Sequence, residues 1–167
     1  DLSFSETQIN MYTGVTVTNN GSLVLGGGIF RVTGAPIWTN ATNSTLRVTG
    51  DLLLTNSTLN ASASGNTISY NGSWNQTIKT PSSNYANLII STGGIKTLQG
   101  NVDINENLDI SAATLDVTSS NFNLNLGGNW SNIGGSFMAK SATVTFDGTG
   151  TQTCTNSAGE TFHHLVI

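Results

Sequence analysis

The chain has 167 residues and a formal net charge of −4, and only 8% of its residues are charged, where an ordinary soluble domain carries about 25%. Its five basic residues, Arg31, Arg47, Lys79, Lys96 and Lys140, are too few to neutralise a run of phosphates, so nucleic acid is excluded as a partner. No apolar run approaches the roughly 20 residues of a membrane-spanning helix, and Cys154, the single cysteine, cannot close an intrachain disulfide.

Threonine (25), asparagine (21), serine (19) and glycine (19) replace the charges and make up half of the chain. Disorder couples low hydrophobicity to high net charge, and this chain has neither. A β protein with an uncharged polar surface is the expectation. The sequence opens at Asp1 without a methionine or an apolar leader, which reads as a mature product after loss of a secretion signal.

Taken in chain order, short apolar-x-apolar runs recur. The first, degenerate set is Leu23, Leu25, Phe30 and Val32; the second is Leu52, Leu54, Leu59 and Ala61; the third is Leu108, Ile110, Leu115 and Val117. The last two sets match without gaps at an offset of 56, with Gly72 on Gly128 and Trp74 on Trp130. Period-2 alternation over such short runs, with turn-forming spacers between them, predicts strands. No 3.6-residue apolar stripe is sustained, so almost no helix is expected.

Residues 1–167 therefore read as one elongated all-β domain with internal repeats at about 15–45 (degenerate), 46–90 and 102–167. The expected architecture is a β-solenoid, like a parallel β-helix with short stacked strands, because such a unit cannot bury its face alone. A β-sandwich is the alternative. Val144 and Phe146 followed by Asp147-Gly148 predict a local antiparallel hairpin near the C-terminus.

The candidate sites are few. Asn-x-Ser/Thr occurs at Asn20, Asn40, Asn43, Asn56, Asn60, Asn71, Asn75 and Asn129. The six from Asn40 to Asn75 cluster, and they are the candidate glycosylation sites. Residues 103–109 begin like a calcium loop, but Leu108 stands where glycine is needed. Alternation instead predicts Val102, Ile104, Leu108 and Ile110 inside, with Asp103, Asn105, Asn107 and Asp109 in solvent. Adjacent His163 and His164, on a strand, point to opposite faces and cannot chelate one ion. Asp103, Asp109 and Asp116 are the acids from which a polysaccharide-degrading site would have to be built. No cofactor, metal or catalytic residue is expected. Trp74 and Trp130, at one repeat position, are expected to pack between coils.

Residues 126–167 resemble a repeat of large secreted and cell-surface proteins of bacteria and archaea. The pattern is G-N-W, a small-residue turn, G-x-F, then V-T-F-x-G-T-x-x-Q-T and T-F-x-x-L-x-I. It is carried here by Gly128, Asn129, Trp130, Gly135, Phe137, Val144, Phe146, Gly148, Gln152, Phe162, Leu165 and Ile167. An earlier copy has Trp74 and the ending Tyr85–Ile90 but lacks the intervening V-T-F-x-G segment. The resemblance implies a β-helical extracellular architecture and no enzyme, and a short chain of this kind is also similar to the fibrous sheath proteins of methanogenic archaea. In the related repeats an aliphatic residue stands at the position of Cys154, which implies a small buried hydrophobe; an interchain disulfide is the alternative.

Phe162, Leu165 and Ile167 leave a strand pattern uncapped, and few charges or prolines protect such an edge. The functional expectation is a self-assembling extracellular structural protein that polymerises by strand addition into a cell-surface filament, sheath or tube, with surface glycans as candidate decoration. An adhesin or carbohydrate-binding module of a larger surface protein is the first alternative, and a polysaccharide-active β-helix enzyme the second. Up to residue 100 there are three acids and four bases; beyond it stand six acids and one base, Lys140. Head-to-tail contact thus avoids setting acid against acid.

Overall fold

The computed structural model describes residues 2–4, 9–27, 31–53 and 56–167. The chain winds as a β-solenoid of about 7 turns, with no helix among the described residues. Phe30 and Leu54, two of the pattern residues, lie outside the described residues. Each coil contributes short strands to three faces, because apolar-x-apolar runs of two to five residues are long enough to cover one face and no more.

The first face is an eight-stranded sheet that runs from Leu2–Phe4 through Ser22–Leu25, Thr45–Val48, Thr67–Tyr70, Asn87–Ser91, Leu108–Ser111 and Trp130–Asn132 to Cys154–Thr155. The second face includes Gln76–Ile78, Ile95–Leu98, Thr114–Asp116 and Ser136–Met138. The third is formed by Thr16–Asn19, Ile37–Asn40 and Thr58–Asn60, joined through the bridges of Ala61 to Tyr85 and Tyr85 to Ile104 to Val102–Ile104, Leu124–Leu126, Thr143–Phe146 and His164–Val166.

Every strand pairing among the described residues is parallel. This corrects the expected hairpin. After Asp147-Gly148 the chain does not fold back on Thr143–Phe146 but crosses to the first face, where Cys154 pairs with Trp130. The reason is a corner device. Gln152 Oε1 accepts the Gly148 N–H at 2.9 Å, and its Nε2 donates to the carbonyls of Leu126 and Gly128 in the preceding coil, both at 2.7 Å. The turn is thereby fastened to the coil below it.

In-register stacking lines the interior with columns. Leu23, Leu46, Ile68, Leu88, Leu108 and Trp130 form one, and successive members lie 20–23 residues apart. All are buried. An offset of 56 is therefore not a whole number of coils. Ile68 lies on the first face and its match Leu124 on the third; the matched segments are shifted by one face.

Asparagine fastens the corners from outside. Asn107 Nδ2 donates to Asn87 Oδ1 at 3.1 Å, the Asn129 N–H to Asn107 Oδ1 at 3.0 Å and the Thr153 N–H to Asn129 Oδ1 at 2.9 Å. A second run joins Asn101, Asn123 and Thr143 in the same way. These bonds satisfy corner N–H groups that no strand ladder reaches, which is the structural use of the abundant asparagine.

Candidate functional site: the open C-terminal coil

Apolar columns buried along the stack come to the surface at residues 154–167. Leu165 continues the column of Val102, Leu124 and Val144, yet it is 47% exposed, and Ile167 is 96% exposed. Cys154 stands next after Trp130 in the first-face column and is exposed. Burial of its thiol side, with the negative charge of Glu160 added, holds its pKa above the usual range. The expectation of a small buried hydrophobe is corrected for this chain: the position faces the core, but no coil covers it.

Of the three residues expected at the assembly edge, Leu165 and Ile167 are open and Phe162 is not. The Phe162 ring turns inward and meets Trp130 edge-on at 5.1 Å and Phe146 at 6.1 Å. It plugs the last coil, because the neighbouring rings leave an aromatic-sized gap at the open end of the core. Glu160 holds the loop before it, accepting from Trp130 Nε1 at 2.8 Å and Asn132 Nδ2 at 2.7 Å. A cavity of about 330 Å³ opens at this end, between Phe146, Gln152, Cys154, Phe162, Leu165 and Ile167.

A second copy of this unit, unrecognised in the sequence reading, lies inside the stack. Thr67-Ile68-Ser69-Tyr70-Asn71-Gly72 aligns with Thr143-Val144-Thr145-Phe146-Asp147-Gly148, and Gln76-Thr77-Ile78 with Gln152-Thr153-Cys154. After one extra residue, Tyr85 aligns with Phe162, Leu88 with Leu165 and Ile90 with Ile167. The V-T-F-x-G segment thus has a counterpart at Ile68–Gly72, with tyrosine for phenylalanine, but it lies before Trp74 and not between Trp74 and Tyr85. The corner is built identically: Gln76 Oε1 accepts the Gly72 N–H at 2.9 Å, and Nε2 donates to the carbonyls of Val48, at 3.1 Å, and Gly50. Both segments make one full coil, since Leu88 stacks on Ile68 and Leu165 on Val144. They differ in what lies above. Ile78, Leu88 and Ile90 are buried, because Leu98, Leu108 and Ile110 pair with them in register.

The remaining candidates are placed as follows. Asn40 is 1% exposed and its Nδ2 donates to the Thr67 carbonyl at 3.3 Å, so it leaves the set of glycan acceptors. Asn60 has both ends of its amide engaged, by Thr39 and Ser82, and Asn71 Oδ1 is buried without a partner. Asn43, Asn56 and Asn75 are exposed. Asp103, Asp109 and Asp116 lie on the third, first and second faces and so do not converge. Burial raises the pKa of Asp103, and the charge of Asp147 adds to it; burial alone raises that of Asp109.

Alternation through 102–110 places Val102, Ile104, Leu108 and Ile110 in the core and Asp103, Asn105 and Asn107 in solvent as expected, while Asp109, also expected in solvent, is half-buried. His163 precedes the strand His164–Val166, and the two imidazoles touch edge-on at 4.4 Å; they are not on opposite faces. Trp130 packs in the core as expected, but Trp74 is 79% exposed, at the corner between the first and second faces. Among the described residues no helix is long and apolar enough to cross a membrane.

Lys96 is the interior residue that the pattern hid. It is wholly buried on the second face and donates to the carbonyls of Gly72 at 2.6 Å and Trp74 at 2.7 Å. Burial pulls its pKa down to about 8, partly offset by Asp51. In this coil it does the work that Gln76 does in the one before, bridging to the coil below.

No protein-family model matches the chain, and no characterised protein or solved structure does either.

Proposed function

We propose that the chain is a structural protein of the extracellular cell surface, non-catalytic and without cofactor, which self-associates through strand edges into a filament, sheath or tube. One observation carries the reading: Cys154 follows the buried Trp130 and Leu108 in one column and Leu165 follows the buried Val144, Leu124 and Val102 in another, and here both, with Ile167, stand open at the edge of parallel strands. Edges of this kind pair with further strands unless charge, proline or a covering element prevents it. The C-terminal coil has none of these on its strands. Low charge favours close stacking of identical chains, and the resemblance to surface-protein repeats and to methanogen sheath proteins points the same way.

Light scattering over a range of concentrations, with negative-stain microscopy of the same samples, tests it. Growth of regular polymers is expected. A protein that stays monomeric at high concentration overturns the proposal.

A second reading has one observation in its favour. Trp74, exposed on a corner, offers an aromatic surface of the sort that adhesive or carbohydrate-binding modules use. Quenching of its fluorescence by soluble glycans, abolished in Trp74→Ala, would support that reading in place of the first.

A further inference from the structure

Lys79 is 9% exposed, and among the described residues its Nζ reaches no hydrogen-bond acceptor and no carboxylate. Buried charges are otherwise paired or hydrogen-bonded, because an uncompensated one is costly. We propose that Lys79 anchors a binding site for a small polar ligand that carries an oxyanion (a carboxylate, phosphate or sulfate) on a sugar-sized body. The site is independent of assembly through strand edges.

A cavity of about 560 Å³ lies at the corner between the second and third faces, lined by Gly34, Ala35, Asn56, Ser57, Thr58 and Lys79. Three successive coils supply these residues, since the Thr58 N–H donates to the Pro36 carbonyl and the Ser82 N–H to that of Leu59, both at 2.9 Å. The Lys79 backbone is turned to the interior, where Tyr70 accepts its N–H at 2.9 Å and Tyr85 donates to its carbonyl. Its side chain is left to face the cavity.

Lys96 shows what a lysine does when it only ties coils together. Its ammonium sits on two carbonyls, at 2.6 and 2.7 Å, and Asp51 partly offsets the cost of its burial. Lys79 has neither kind of support: burial lowers its pKa and no neighbouring charge opposes the shift. A bound oxyanion supplies the missing counter-charge.

The rest of the lining sets the chemistry of the ligand. It contains no acid; beside the small Gly34 and Ala35 it offers one amide and two hydroxyls. A cation would meet the ammonium unopposed, and an apolar ligand would find little apolar surface. Asn56 is exposed and bonded to no other described residue, so its amide offers a donor and an acceptor next to the charge. Ser57 Oγ already donates to the Leu53 carbonyl at 2.9 Å, which leaves its lone pairs to accept. An oxyanion on Lys79, with hydroxyls against Asn56 and Ser57, matches this set. The volume falls within the span of small-molecule sites, about 300–1,000 Å³.

Equilibrium dialysis against labelled glucuronate, inorganic phosphate and inorganic sulfate, with glucose as the neutral reference, tests the site in monomer and polymer alike. At least one anion is expected to bind once per chain, and tighter than glucose by about tenfold or more. Lys79→Gln removes the charge and keeps a donor; Asn56→Asp sets a carboxylate beside the ammonium at an exposed position. Each is expected to weaken anion binding by about tenfold or more, while Lys140→Gln, whose lysine pairs with Asp116, leaves it unchanged. Preference for glucuronate supports the site and assigns it a sugar carboxylate; preference for phosphate or sulfate supports it and assigns the corresponding ester. Glucose bound as tightly as every anion overturns the proposal. So does anion binding that survives Asn56→Asp and Lys79→Gln, or a wild-type protein that binds none of the anions at millimolar concentration. Asn56→Asp alters an exposed side chain, so it keeps the test decisive if Lys79→Gln misfolds.

Discussion

Tyr70 and Tyr85 meet hydroxyl to hydroxyl at 3.4 Å in the interior, and between them they satisfy one peptide: the Lys79 N–H donates to Tyr70 at 2.9 Å, and Tyr85 donates to the Lys79 carbonyl. In the terminal coil Phe146 and Phe162 occupy the matching positions, ring to ring at 6.1 Å. Two phenylalanines therefore fit the geometry without the hydroxyls.

Tyr85→Phe is expected to cost about 1–3 kcal/mol, because it leaves the Lys79 carbonyl buried without a donor and the Tyr70 hydroxyl without an acceptor. Tyr70→Phe strands only the Lys79 N–H. A double-mutant cycle read by denaturant unfolding is expected to give a coupling energy above zero, since the two hydroxyls form one network. Strict additivity would show that the network does not act as a unit.

The corner glycines are expected to tolerate no side chain. A Cβ on Gly72 would stand 2.1 Å from the Thr49 carbonyl oxygen, and one on Gly148 2.1 Å from that of Gly127. Gly148→Ala and Gly72→Ala therefore force two coils apart, and each is expected to destabilise by about 2 kcal/mol or more. Gln76→Glu should do comparable harm: a carboxylate keeps the size but cannot donate to the carbonyls of Val48 and Gly50. Melting temperatures of the three variants check this, and a wild-type value for Gly72→Ala would refute the close approach.

Strand alternation was legible in the sequence; the assignment of strands to faces was not. Residues 102–110 could be divided into core and solvent positions because the two-residue period acts locally. The repeat at 56, and the copy of 67–90 at 143–167, each shift a segment to a different face, because a strand plus its corner is the repeating physical unit and all three faces accept it. Trp74 and Trp130 match in sequence while one sits on a corner and the other in a column. Lys96 was unreadable for a different reason. Its charge suggests solvent, but its place between Gln76 and Leu115 in one inward column is set by pairing register, which a single sequence does not display.

Lys96 makes stability depend on pH in a defined direction. Its folded pKa, about 8, lies below the usual value of 10.5, so between those values the unfolded chain binds more protons and stability rises with pH. Below about 8 both states are protonated and the full penalty applies. Tyr70 and Tyr85, whose pKa values burial raises, oppose this above pH 10, where the unfolded chain loses phenolic protons first. Urea midpoints are thus expected to climb from pH 8 to about 10 and then fall. In Lys96→Gln, which keeps a donor for Gly72 and Trp74 but cannot titrate, the climb should be reduced to the smaller share from Lys79, whose pKa burial also lowers. A variant with an unchanged climb would remove Lys96 as its source.

Glu106 acts at the acid end. Its carboxylate accepts from the Gly65 N–H at 2.9 Å, Ser64 Oγ at 3.1 Å and Asn87 Nδ2 at 2.5 Å, and these bonds, the Gly65 one foremost, hold its pKa below the usual value. A depressed carboxylate stabilises above its unfolded pKa, and that stability is lost as pH falls through the folded one. Glu106→Gln is expected to remove part of the acid sensitivity and to lower stability at neutral pH, where the charge-assisted bonds are intact. Unfolding curves of wild type and variant at pH 7 and pH 3 should converge as the pH drops; a constant gap would assign the loss to packing alone.

The two matched tryptophans give the sharpest contrast between sequence likeness and structural role. Trp130 is fully buried, packs edge-on against Phe137 at 5.0 Å and Phe162 at 5.1 Å, and donates its Nε1–H to Glu160. Trp130→Ala opens a cavity beneath the terminal coil and unties the loop that carries Phe162, so a loss of about 3–5 kcal/mol is expected. Trp74 has solvent over most of its surface, and Trp74→Ala should stay within about 0.5 kcal/mol of wild type. The same pair separates assembly from folding. Trp130→Ala is expected to stop polymer growth by loosening the coil that presents Leu165, while Trp74→Ala leaves growth unchanged; polymerisation lost in Trp74→Ala with stability intact would move the contact to the corner.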